Sequence, residues 1–105
     1  GWSLRSRFYT QRYNVMIYDV RLSQVKQVPS RVGTVWAVPS PYYEIAEGVS
    51  RGMKTDVIAG ELGHREGSVR QELSWLYGTL GLDLSDSNPR VLLARLMWEG
   101  RIRKL

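Results

Sequence analysis

Apolar residues recur along this chain in two different rhythms. Up to about Val38 they alternate, or run together among β-branched and aromatic neighbours. RYNVMIYDVRL (12–22) lacks glycine and proline, SQVKQV (23–28) alternates until Pro29-Ser30 breaks it, and RVGTVWAV (31–38) is again β-prone. The pattern predicts three short strands joined by tight turns, a small meander or hairpin. A sheet of so few residues does not stand alone, so it should pack on the remainder of the chain or pair with a second one.

From Pro39-Ser40-Pro41 onward the spacing becomes helical. Ser40 reads as an N-cap with Pro41 at the first helical position, and Ile45, Ala46, Val49 and Met53 mark one face up to Gly52. Thr55 is a candidate cap for a short second helix with Ile58, Ala59 and Leu62 inward, closed by Gly63. A third helix is predicted from Glu66 to Leu80, where Val69, Leu73, Leu76 and Leu80 share a face and Gly81 stops the run. The polar segment DLSDSNP (83–89) turns into a last helix from Pro89 to Glu99, followed by a basic tail, RIRKL (101–105). The expected fold class is therefore α+β, with a basic β-rich segment over 1–38 and a helical domain over 39–105.

Two short helices with a glycine-containing turn, followed by a longer one, form the helix-turn-helix pattern. At about 100° per residue, Gly67, Arg70, Gln71, Ser74 and Gly78 fall opposite the leucine stripe of the third helix, flanked by Glu72 and Trp75. A face so poor in side-chain bulk lets a helix backbone sink into the major groove, where arginine suits guanine and glutamine suits adenine. The competing reading of the same residues is a solvated helix face.

The stretch VPSPYYEIAEGVSRGMKTDVIAGELGHREGSVRQELSWLYGTLGL (38–82) resembles the LuxR/FixJ/GerE-type DNA-binding domain. The matching marks are Glu44, Gly52, Ile58-Ala59, Leu62-Gly63, Ser68-Val69-Arg70, Leu73-Ser74, Tyr77 and Leu80-Gly81, with RVLLARLMW (90–98) where that family has its last helix. The resemblance implies base contacts from Arg70, Gln71 and Ser74 to double-stranded DNA. It implies phosphate contacts near Lys54, Thr55, Arg65 and Ser68. It also implies a homodimer through the last helix, where Val91, Leu93 and Met97 are the candidate interface. The chain departs from the family at Arg65, where a small polar cap is usual, at His64, usually aliphatic, and at Glu72, often histidine. Gly78 and Thr79 replace residues that are often basic. Residues 1–37 match no family.

Charge sharpens this picture. The 105 residues carry a formal net charge of +5. Arg5, Arg7, Arg12, Arg21, Lys26 and Arg31 stand against Asp19 alone before residue 41, and acids balance bases thereafter. The first segment should therefore supply much of the attraction to a polyanion. Lys54, Arg65 and the tail residues Arg101, Arg103 and Lys104 read as phosphate contacts or as solubilising charge. Hydrophobic residues at 43% and charged residues at 24% are ordinary for a globular chain. There is no cysteine, and no apolar run approaches membrane-spanning length; a cytoplasmic protein with no membrane association is expected. Gly1 in place of methionine fits a piece of something longer.

His64 is the single histidine, so no triad or histidine metal pair can be built. It is expected to fill an aliphatic position and find one hydrogen bond. Trp36, Trp75, Trp98 and the Tyr42-Tyr43 pair are expected in the core or an interface. With no phosphate-cradling loop or nucleophile elbow, neither enzymatic activity nor a cofactor or metal is expected. Besides a transcriptional regulator, the pattern admits a protein-interaction module of the same fold that grips RNA polymerase or another regulator, supported by the acids Glu66 and Glu72. It also admits an RNA binder using the aromatic, basic strands.

Overall fold

The computed structural model describes residues 19–84 and 86–105. The architecture is α+β: a three-stranded sheet and four α-helices among the described residues. In chain order these are a 3-10 turn (Val20–Gln24), strands β1 (Lys26–Ser30) and β2 (Gly33–Val38), helices α1 (Tyr42–Ser50), α2 (Thr55–Leu62) and α3 (Glu66–Leu80), a second 3-10 turn (Leu82–Leu84), helix α4 (Pro89–Trp98) and strand β3 (Ile102–Lys104).

The strand pattern of the first segment is realised only in part. Residues 12–18 of the first expected strand lie outside the described residues. Its end is not extended: Val20–Gln24 winds into a 3-10 turn, capped by the Asp19 carboxylate, which accepts from the Arg21 N–H at 2.9 Å, and it turns Leu22 into the core. The second strand begins and ends later than expected. Pro29 and Ser30 stay inside β1, because β1 pairs only with β2 and a proline at a sheet edge loses no ladder bond. The hairpin register pairs Val28 with Val35 and Lys26 with Ala37.

The third strand comes from the other end of the chain. Ile102–Lys104, expected as part of a basic tail, runs parallel to β2 with Trp36 opposite Ile102 and Val38 opposite Lys104. Ile102 is buried, and that burial anchors a short segment whose basic residues, Arg103 and Lys104, stay exposed. Arg101 reinforces the junction: its carbonyl accepts from the Trp36 N–H at 2.8 Å, and its Nε donates to the Thr34 carbonyl at 3.0 Å. The sheet is therefore not built from the first 38 residues alone.

The helices follow their apolar spacing closely. Ile45, Ala46 and Val49 of α1, Ile58 and Ala59 of α2, and Val69, Leu73, Leu76 and Leu80 of α3 join Leu22, Val38, Leu93 and Ile102 in one core. Gly63 (φ 70°) and Gly81 (φ 74°) end α2 and α3 in the left-handed region, where a side chain would be strained. The helix starts differ from expectation by one residue. Pro41, after a cis Ser40–Pro41 peptide, holds the N-cap position of α1, while the Ser40 hydroxyl donates instead to the Glu44 carboxylate at 3.1 Å. Lys54 takes the N-cap position of α2, so Thr55 is its first residue. Asn88 caps α4 by accepting from the Arg90 N–H, with Pro89 in the first turn.

Helix α4 packs on α1. The Arg90 guanidinium donates to the Met53 carbonyl, and the Trp98 indole N–H donates to the Ser50 carbonyl at 3.0 Å. Leu93 is fully buried by this packing, so it is not available to a partner; it belongs to the core stripe rather than to a dimer interface. Leu96 and Met97 also pack partly against the core, and the apolar side chains left exposed on α4 are Val91 and Trp98.

Candidate nucleic-acid interface

Helices α2 and α3 are joined by the turn Gly63-His64-Arg65, the connection a helix-turn-helix requires. Gly63 reverses the chain, and the His64 N–H donates to the Ala59 carbonyl at 2.9 Å. With Val69, Leu73 and Leu76 held in the core, α3 turns Gly67, Arg70, Gln71, Ser74 and Gly78 outward, and all five are exposed. The structure thus gathers Arg70, Gln71 and Ser74 on one face. Arg70 is not free there: its Nη2 donates to Glu66 Oε2 at 2.5 Å, one turn earlier in the same helix. Such an exposed ion pair is worth only about 0.3–0.5 kcal/mol, so Arg70 can exchange Glu66 for another acceptor at little cost.

The expected phosphate ligands stand at the helix starts. Lys54 and Arg65 occupy the N-cap positions of α2 and α3, both are exposed, and neither caps its helix with its own side chain; in the first turn of α2 the Asp56 carboxylate accepts from the Val57 N–H at 2.9 Å. Ser68 is exposed in the first turn of α3, and Thr55 is partly covered. Arg65 therefore replaces an internal cap with a cation and leaves first-turn N–H groups of α3 without a side-chain acceptor. An uncapped helix start beside a positive charge suits an anion.

Glu72, expected at the flank of the exposed face, is instead the one buried charged residue among those described, at 8% exposure. Its Oε1 lies 3.2 Å from His64 Nδ1, and its Oε2 lies 4.0 Å from the Arg21 guanidinium. His64 is only partly covered, and Glu72 is its hydrogen-bond partner. The carboxylate thus joins the α2–α3 turn, α3 and the 3-10 turn. Arg21 in turn clasps Asp19 with bonds of 2.6–3.1 Å and lies over the Tyr42 ring at 5.8 Å. The Tyr42 hydroxyl donates to Asp19 at 2.7 Å. The hydrogen bond from Arg21 lowers the Asp19 carboxyl to about 2, against the opposing effect of burial and with help from Tyr42. Burial, and then the bond to Asp19, push the Tyr42 phenol well above its usual range.

This network brings Arg21 beside the exposed face of α3. Asp19, Arg21, Gly67, Ser68, Gln71, Glu72 and Trp75 line an open cleft between the 3-10 turn and α3. Sequence reasoning assigned Arg21 only to the general basic excess, and nothing in a strand-like run marks it as a neighbour of Gln71. Of the other cations in the first segment, Lys26 and Arg31 sit on the hairpin, which adjoins β3 and through it α1. Arg5, Arg7 and Arg12 lie outside the described residues. In the tail, Lys104 pairs with Glu44 at 2.9 Å and Arg101 is spent on Thr34 and Glu99, leaving Arg103 exposed.

Among the described residues no group of three or more histidine, aspartate or glutamate side chains could hold a metal ion, and no helix is long and apolar enough to cross a membrane. Comparison of the chain with protein-family models, with curated proteins and with solved structures gave no match.

Proposed function

We propose that this protein is a sequence-specific, double-stranded DNA-binding regulator of transcription of the LuxR type, acting in the cytoplasm with α3 in the major groove. The observation that carries the reading is the outward face of α3, where Arg70, Gln71 and Ser74 stand exposed between Gly67 and Gly78. Arginine and glutamine read guanine and adenine edges, and the glycines let the backbone approach. Lys54, Arg65 and Ser68, at the helix starts, serve the phosphates, with Arg21 as a further cation beside Gln71. A two-fold dimer would use the exposed part of α4, Val91 and Trp98 with the edge of Met97, and not Leu93.

Enrichment of bound duplexes from a random pool, at two salt concentrations, tests this. A recovered motif with salt-sensitive affinity is the expected result, and a palindrome gives the half-site spacing of a dimer. Salt-sensitive binding without a motif removes sequence specificity from the proposal. No retained duplex at low salt overturns it and favours a second reading, a module that binds RNA polymerase or another regulator. That reading draws on Val91, 53% exposed, and Trp98, 73% exposed, on α4.

A further inference from the structure

The proposed DNA contacts give no role to the acid that flanks the outward face of α3 beside Arg70. Glu66 opens α3, its side chain is half exposed, and it holds Arg70 across one helical turn. As a helix-stabilising pair this contact does little. On a helix that enters a polyanionic groove, an acid at the edge of the contact stripe opposes binding to every sequence, unless its carboxylate meets a donor there.

A G·C pair supplies that donor. Its major-groove edge presents two acceptors, guanine N7 and O6, and then the cytosine N4 amino group. The Arg70–Glu66 pair presents the complement, guanidinium donors beside a carboxylate acceptor, at the Arg70 edge of the exposed face. In an A·T pair the donor is adenine N6, which falls on the purine side against the Arg70 guanidinium, while thymine O4 and its methyl group, neither a donor, meet the carboxylate. Gly67, between the two in sequence, adds no bulk, and a Cβ placed on it would meet no atom within 4 Å.

We propose that Glu66 is a specificity-determining residue that accepts a hydrogen bond from cytosine N4 while Arg70 donates to guanine on the same or the adjoining base pair. The inference rests on α3 being the groove helix. It extends that reading from an arginine that favours guanine to an ion pair that selects G·C and rejects A·T. In the free protein Glu66 keeps the Arg70 guanidinium along the helix, close to where the base edge arrives.

The test compares duplex enrichment by the full chain with that by Glu66→Ala and Arg70→Ala. Cytosine at the recovered position is then replaced by N4-methylcytosine, which puts a methyl group in place of the groove-facing donor. The wild-type motif is expected to hold a G·C pair at the position that Arg70→Ala relaxes. Glu66→Ala should lower the preference for G·C over A·T there by about tenfold. N4-methylcytosine should weaken the wild type by a similar factor and leave Glu66→Ala unaffected; this change on the DNA side is independent of how the variants fold. If Glu66→Ala binds all duplexes more tightly with an unchanged motif, Glu66 is only an unfavourable charge and the inference is overturned alone. If the wild type retains no duplex at all, the reading of α3 falls with it.

Discussion

Asp19 shows how one side chain can hold a segment in place through its ionisation. Its carboxylate caps the 3-10 turn, clasps Arg21 and accepts from Tyr42. Because its folded pKa of about 2 lies below the ordinary 3.8, folding favours the charged form. The stabilisation is complete above about pH 4 and is lost as pH falls from there towards the folded value. Urea unfolding at pH 5 and pH 3 should therefore show wild type well ahead of Asp19→Asn at the higher pH and the gap narrowing at the lower; a constant gap would deny Asp19 this role. A different kind of cation sits at Lys54 and Arg65, which make no ion pair among the described residues. Alanine at either should weaken duplex binding evenly across sequences and reduce the slope of log affinity against log salt by about one. An effect confined to one base position would reassign the residue to base reading.

Among the elements, the glycines divide by what lies beside them. A Cβ on Gly48 of α1 would stand 2.8 Å from Ile58 Cγ1 of α2, both residues being buried, so Gly48→Ala should cost about 1–3 kcal/mol despite the better helix propensity of alanine. Gly60 of α2 faces open space, and Gly60→Ala should stabilise by up to about 1 kcal/mol. Gly67→Ala meets equally open space and should also stabilise the free protein, yet it adds bulk where α3 is proposed to approach DNA. Thermal melts and duplex affinity should therefore move in opposite directions for that variant; matched gains in both would speak against a close approach. The helices were the legible part of this chain. The leucine spacing from Val69 to Leu80, with Gly63 and Gly81 as stops, states the bounds of α3 because period and termination are local properties. Val20–Gln24 was not legible, since its β-branched and aromatic setting reads as strand while Asp19 and the buried Leu22 decide for a turn. Glu72 was misplaced for a related reason. Helical spacing gives a direction, but only the arrival of Arg21 and His64 shows that this direction is covered.

At the scale of the whole molecule, the sheet draws the two ends of the described chain together. Val38 lies between the hairpin and the segment after α4, and Leu105 donates its N–H to the Val38 carbonyl at 2.9 Å. Lys104 adds a bond to Glu44, whose carboxyl is held low because the contacts to Lys104, to its own backbone and to Ser40 outweigh the effect of burial. Ile102→Ala should therefore cost about 2–5 kcal/mol by chemical denaturation, as expected of a core residue and not of a solvated tail. Three residues, two of them basic, offer no strand signal of their own, so β3 could be found only by knowing that β2 has a vacant edge.

That arrangement has a consequence for synthesis. The chain leaves the ribosome from its amino end, so β2 emerges with one edge unsatisfied and stays so while all four helices are made. Helices α1 to α3 can collapse on one another as they appear, but Trp36, Ala37 and Val38 must wait for the segment after α4. During that interval their open edge is what another nascent copy, or a chaperone, would meet first. A chain ended after Trp98 should therefore be helical but aggregation-prone, and restoring residues 99–105 should be the step that makes it safe.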